Sequence, residues 1–225
     1  MEPVPRDGPE PVHDEPRHPS DGLDTKKKTL SASEQDQQVR GAYREQVAPQ
    51  PAEHFVVIDE CGSNLDLTPR YARAPRGTRA IDTTPRNTPV NTTLIAAMTT
   101  AGMGPAMLVA GATDTAVFLA YCEQVLVPSL TPGQIVVLDN LSAHKDRRVR
   151  AVIEAAGCAL WYLPTYSPDL SPIELAFSKV KATVRRAKAR TRTALDDAIA
   201  TALTTVTAQD AASYFAHCGY GTAAQ

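Results

Sequence analysis

The sequence predicts an α/β domain built on a mixed β-sheet flanked by helices. Two short runs, HFVVID (His54–Asp59) and QIVVLD (Gln134–Asp139), are apolar and β-branched, as strands buried on both faces are. Strand-like and helix-like segments alternate along the chain instead of falling into separate blocks. Helix-start and helix-stop residues stand where the apolar period changes.

Residues 1–25 are rich in Pro, Asp, Glu and His, with little to bury, and are expected to form a disordered acidic tail. Residues 26–50 are polar and read as a lead-in segment, with a short helix around Ser33–Gln46. A globular domain is expected over 51–220, leaving 221–225 as a C-terminal tail. Its first strand is His54–Asp59. Leu67–Arg79 is rich in Arg and Pro, so a loop or an edge, with Gly77 marking a tight backbone turn. Asn91–Thr100 and Ala106–Ala110 read as an antiparallel pair joined by the turn AGMGP. Asp114 is placed to cap a helix running to about Val127. Pro132-Gly133 makes a turn into the strand Ile135–Leu138. A helix over Arg147–Ala156 stops at Gly157, and Ala159–Leu163 is a further strand. Ser171-Pro172 opens a helix to about Arg190, and helices over Ala194–Val206 and Gln209–His217 complete the order.

The net charge of −2 hides an uneven distribution. Residues 1–50 hold 7 basic against 10 acidic residues, and the rest hold 16 against 15. Five arginines fall in 70–86 and seven basic residues in 179–192, the local footprint of a phosphate-bearing partner. Four widely spaced cysteines without a CxxC pair exclude a zinc-finger or disulfide framework. No signal-peptide pattern opens the chain, and no apolar run reaches the ~18–20 residues that span a bilayer. A cytoplasmic protein with no membrane partner is expected.

Both apolar strands end in a carboxylate, Asp59 and Asp139. If the strands are parallel neighbours, both side chains meet at one end of the sheet. Glu174, in the first turn of the following helix, brings a third. Three hard oxygen donors suit Mg²⁺ or Mn²⁺. Two such ions about 3.5–4 Å apart can serve phosphoryl chemistry. Each residue also has a plainer reading. Either Asp can form an Asx turn or cap. Ser171-Pro172-Ile173-Glu174 has the form of a capping box. The basic run Lys179–Arg192 can be a solvated helix face, although no Glu stands at i,i+4 to pair with it. Adjacent Glu60 should point to the opposite face of its strand and is given no ligand role.

The segments VVIDECGSN, YARAPRG, IVVLDNLSAHK and LPTYSPDLSPIELAFSKVK resemble the catalytic motifs of DDE transposases. The branch they resemble is the bacterial insertion-sequence-630 family of the mariner-like superfamily. Similarity extends from about Lys26 to Tyr220. Asp139 and Glu174 are separated by 34 residues, a spacing similar to that superfamily's. The resemblance implies a ribonuclease-H-like fold in which Asp59, Asp139 and Glu174 hold two divalent ions. It implies cleavage of DNA at element ends, then attack of the freed 3′-hydroxyl on a TA-containing target. It also implies a homodimer that pairs two ends. Asn140, His144 and Lys145 match the motif after the second Asp and are candidates to contact the scissile phosphate or to orient Asp139. A polar loop at a helix start explains them equally well. Arg73 and Arg76, with Arg70 and Arg79, are candidate DNA-backbone contacts. Tyr166 is expected near the site, and Lys179, Lys181, Arg185 and Arg186 along the DNA. Trp161 and Tyr162 read as core.

Members of that family carry an N-terminal helix-turn-helix region, which this sequence does not show. An upstream half of the transposase, joined by frameshifting, is one expectation; a decayed gene is the other. Two rival functions follow. VVIDEC resembles the Walker B strand of an NTPase, but no Gly-Lys pair exists to hold phosphates. A non-catalytic remnant that binds DNA or a transposase, acting as an inhibitor, is the alternative to an enzyme.

Overall fold

The computed structural model describes residues 32–87 and 91–221. The expected tail at 1–25 and residues 222–225 lie outside them. The described residues belong to one compact unit beginning at Ala32.

Five strands form one sheet in the order β3-β2-β1-β4-β5. They are β1 (Phe55–Ser63), β2 (Thr92–Thr99), β3 (Gly102–Ala110), β4 (Ile135–Leu138) and β5 (Ala159–Tyr162). The first three are antiparallel; β4 runs parallel to β1, and β5 parallel to β4. The α-helices are α1 (Gln37–Val47), α2 (Thr115–Tyr121), α3 (Arg147–Ala155), α4 (Pro172–Ala187), α5 (Arg192–Thr204) and α6 (Ala208–His217). The mixed sheet flanked by helices is the predicted architecture.

Alternation along β1 divides the core in two. Phe55, Val57 and Cys61 pack with residues of α1, α4, α5 and α6. Val56 and Ile58 pack with Phe118 and Tyr121 of α2 and with Val149 and Ile153 of α3. Phe55–Ile58 of β1 and all of β4 are therefore buried on both faces, which is why FVVI and IVVL are continuously apolar.

Several boundaries differ from expectation. β1 continues four residues past Asp59, because Glu60–Ser63 pair with Thr92–Ile95 of β2. β3 begins at Gly102, so the expected five-residue turn shrinks to Thr100-Ala101. Gly102 has φ 125°, and a Cβ there would stand 3.2 Å from the Val206 carbonyl oxygen. The Asp114 carboxylate caps α2 as predicted, accepting from the Val117 N–H. The α-helix stops at Tyr121, and the chain continues as a π turn over Cys122–Leu126 and a 3₁₀ turn over Val127–Ser129. Pro128 has no N–H with which to extend the α pattern. α4 ends at Ala187, short of Arg190, with Lys188 left-handed at φ 49°.

The lead-in segment is the clearest correction. α1 buries Arg40, Tyr43 and Val47 along one face and belongs to the domain core. The Tyr43 hydroxyl meets the Tyr220 hydroxyl at 2.7 Å, and the Tyr220 hydroxyl donates to the Leu170 carbonyl. All four cysteines are free and buried. Among the described residues, no helix is long and apolar enough to cross a membrane.

Candidate active site

The parallel pairing of β1 with β4 places the two aspartates. Phe55, Val56 and Val57 stand beside Ile135, Val136 and Val137, and the same register continued brings Asp59 level with Asp139. Pairing to β4 has ended by then, while pairing to β2 holds Asp59 opposite Ala96. Asp59 thus lies within a strand yet beside the open end of its parallel neighbour. By alternation it faces the layer that contains α4. There α4 presents Glu174 in its first turn.

Glu174 is not used as a cap. Ser171 is the N-cap residue, but its side chain makes no capping hydrogen bond. The capping-box reading therefore fails, and the Glu174 carboxylate is left facing a cavity of about 310 Å³. Asp59, Asp139, Asn140, Leu141, Pro164, Thr165, Tyr166 and Glu174 all line it.

Each aspartate has one oxygen held by the protein. Asp59 Oδ1 accepts from the Glu60 N–H at 2.7 Å, and Asp139 Oδ1 accepts from the Leu141 N–H at 3.1 Å. Burial pushes the Asp59 carboxyl up to about 7; the Glu60 N–H opposes this, and the charges of Glu174 and Asp139 add to it. Three carboxylates thus face one cavity, where their negative charges repel one another. Among the described residues, no three ligating side chains are gathered tightly enough to hold an ion as they stand. The donor chemistry nevertheless fits a hard divalent cation: every group is a carboxylate, and a cation would offset the burial and the neighbouring charges that raise the Asp59 pKa.

His144 lies on the other side of Asp139. Its Nδ1 bonds Asp139 Oδ1, and its Nε2 stands 3.4 Å from Glu60 Oε1. The ring lies against Phe118, with centroids 4.1 Å apart, and is 1% exposed. Burial favours the neutral ring, but the bonds to Asp139 and Glu60 outweigh it and raise its pKa to about 9. The expected DNA contact by His144 is therefore corrected, because a side chain this buried cannot reach a phosphate. Glu60 does point away from the carboxylate cavity, as expected. Its pairing with His144 carries no sequence signal, since 84 positions separate them.

The remaining candidates divide. Asn140 donates to Thr165 Oγ1 at 2.7 Å across the cavity wall. Tyr166 is 58% exposed at the cavity, with φ 54°, and its carbonyl accepts from Gln35 Nε2. Lys145 is exposed after β4. Arg73 and Arg76 are exposed on the loop between β1 and β2, where Gly77 has φ 83° in the expected turn. Arg185 and Arg186 border a surface cleft with Arg70 and Tyr71. Lys181 reaches the Cys61 thiol, whose pKa burial raises and Lys181 lowers. Lys179 is instead committed to Asp210 at 2.6 Å. Lys188 pairs with Asp82, Arg192 with Asp196, and Arg190 donates to the Leu65 and Leu67 carbonyls. The basic run is thus less free than its sequence suggests.

Residues 54–196 match the family model described as DDE superfamily endonuclease. The chain belongs to this family. The DDE endonuclease fold is seen again in solved structures at low identity. A Mos1 transposase paired-end complex with the left transposon end is 15% identical, with TM-score 0.73, over 88% of this chain and 64% of that one. The Mos1 strand transfer complex matches at 15% identity and TM-score 0.69, over 88% and 63%. The catalytic domain of Mos1 mariner transposase matches at 13% identity and TM-score 0.60, over 85% and 93%. This DDE chain therefore spans about two thirds of the longer Mos1 chains and most of the catalytic domain. No curated protein matched it.

Proposed function

We propose that this chain is the catalytic part of a bacterial insertion-sequence transposase of the insertion-sequence-630 branch. It would cut DNA at element ends and join the 3′ ends to a TA-containing target. The observation that supports this best is the in-register placement of Asp59 and Asp139 facing Glu174. Asp59, Asp139 and Glu174 would hold two Mg²⁺ or Mn²⁺ ions. When bound, such ions neutralise phosphate charge and lower the pKa of water. Related Mos1 complexes are described with Mn and with Mg.

The chain's own residues do the positioning. Asp59 and Asp139 line the cavity with one oxygen of each held by a backbone N–H, which leaves the other oxygen to serve a cation. Asn140 and Thr165 fix the wall on which a strand would rest. Tyr166 offers an exposed ring for a base beside the reacting phosphate. Arg186, Lys145, Arg73 and Arg76 supply exposed positive charge for the backbone, with the half-buried Arg185 beside Arg186. A helix-turn-helix segment supplied by an upstream half would choose the element ends, and a homodimer on DNA would pair them in the cytoplasm.

Nicking of supercoiled plasmid in Mg²⁺ or Mn²⁺ tests the reading. The wild-type chain should nick, and Asp139→Asn should lose at least about 100-fold while still binding DNA. Identical behaviour of the two proteins would favour the non-catalytic remnant.

A further inference from the structure

Resting on that reading, we propose that His144, backed by Glu60, is a positioning residue that sets the rotamer of Asp139 and so decides which of its oxygens faces the cavity. Asp139 Oδ1 receives two donors, the Leu141 N–H and the His144 ring. Both of its lone-pair directions are then occupied, and Oδ2 is the oxygen left to serve a cation or a phosphate-bound water. The imidazole has no freedom to do otherwise. It is wedged between Asp139 and Glu60 and lies on Phe118, and the main-chain carbonyl of His144 accepts from the Tyr162 hydroxyl at 3.0 Å.

Glu60 comes from the strand that carries Asp59, one residue on and on the opposite face. The link Glu60–His144–Asp139 therefore passes around the open end of β4 and ties the two aspartate-bearing strands together. A shift of one strand along the other would change both aspartates at once. An imidazole hydrogen-bonded to a ligating carboxylate, and itself held by a second carboxylate, is how outer-shell groups fix ligand orientation.

Two substitutions separate positioning from mere packing. In His144→Asn the amide nitrogen falls where Nδ1 was and can still donate to Asp139. In His144→Gln it falls where Nε2 was and reaches Glu60 instead. Mn²⁺ affinity would be measured by calorimetry, thermal stability by calorimetric scanning, and nicking with supercoiled plasmid. His144→Asn should stay within about 5-fold of wild type in Mn²⁺ affinity, and His144→Gln should lose about 10–100-fold. Nuclear magnetic resonance of the metal-free protein should show a downfield Nδ1 proton that disappears in Asp139→Ala. Equal Mn²⁺ affinity in both variants, or losses that follow stability alone, would overturn the positioning role and leave the functional reading standing. Failure of the wild-type chain to bind Mn²⁺ at all would overturn both.

Discussion

At the scale of single residues, Asp59 is where the proposed function would work against stability. Burial raises its pKa to about 7, aided by Glu174 and Asp139. In the unfolded chain a carboxyl of this kind titrates near 3.9. Between those values the folded protein keeps a proton that the unfolded chain has released, so stability falls as pH rises from about 4 to about 7. The loss persists above pH 7, where the folded state must hold a charge it disfavours. Asp59→Asn removes that charge. Urea unfolding of metal-free protein should find the variant more stable than wild type by on the order of 2–4 kcal/mol at about pH 8. The two should converge near pH 4. The same variant should lose nicking, and divalent cation should stabilise only the wild type. Equal stability at pH 8 would mean that water still reaches the Asp59 carboxylate.

At the scale of elements, α1 secures the loop that leads into α4. Arg40 donates to Ser167 Oγ at 2.6 Å and bridges both oxygens of Asp169 at 3.0 and 2.6 Å. Arg40 is buried and Asp169 half-exposed, so the pair is worth more than a surface bridge and less than a fully buried one. Arg40→Ala should cost about 1–3 kcal/mol in urea unfolding and slow nicking by loosening the Tyr166–Leu170 wall. Arg44, half-exposed at 3.6 Å from the same carboxylate, should cost less than about 0.5 kcal/mol when replaced by Ala. Arg40 also holds the Asp169 pKa below its usual value, so the contribution is complete above about pH 4 and disappears as acid protonates Asp169. If Arg40→Ala unfolds like wild type and nicks like wild type, α1 is only a lid on the core. The sequence shows α1 as a helix but not its docking, because its inward face carries an arginine whose partners lie 127 and 129 positions away. The strands β1 and β4 were legible for the opposite reason: continuous β-branched apolar runs need no partner to be recognised. β1 past Asp59 was not, since Cys-Gly-Ser has little strand signal and is extended by pairing with β2. Asp59, Asp139 and Glu174 were legible as a set, whereas Glu60 with His144 depends on register around the end of β4.

At the scale of the whole molecule, the question is how a chain of net charge −2 would hold a polyanion. Folding sorts its cations into two kinds. Lys179, Lys188 and Arg192 are neutralised by Asp210, Asp82 and Asp196, and Arg190 is turned inward to backbone carbonyls. Arg185 and Arg186, on the same helix as Lys179, instead border the cleft with Arg70 and the 93% exposed ring of Tyr71. Charge counted along the sequence and charge free to meet DNA are therefore different quantities. Replacing Arg185 and Arg186 together by Ala should weaken binding to a DNA duplex, measured by fluorescence anisotropy across a salt series. Every phosphate that the protein no longer neutralises should reduce the slope of log K against log salt by about 0.9, so the double variant should fall by up to about 2. Lys179→Ala should leave that slope unchanged and instead lower thermal stability, because its partner Asp210 also caps α6 through Thr207. A slope that drops for Lys179→Ala and holds for the double arginine variant would reverse the assignment and place the DNA path along the α4–α6 side of the domain.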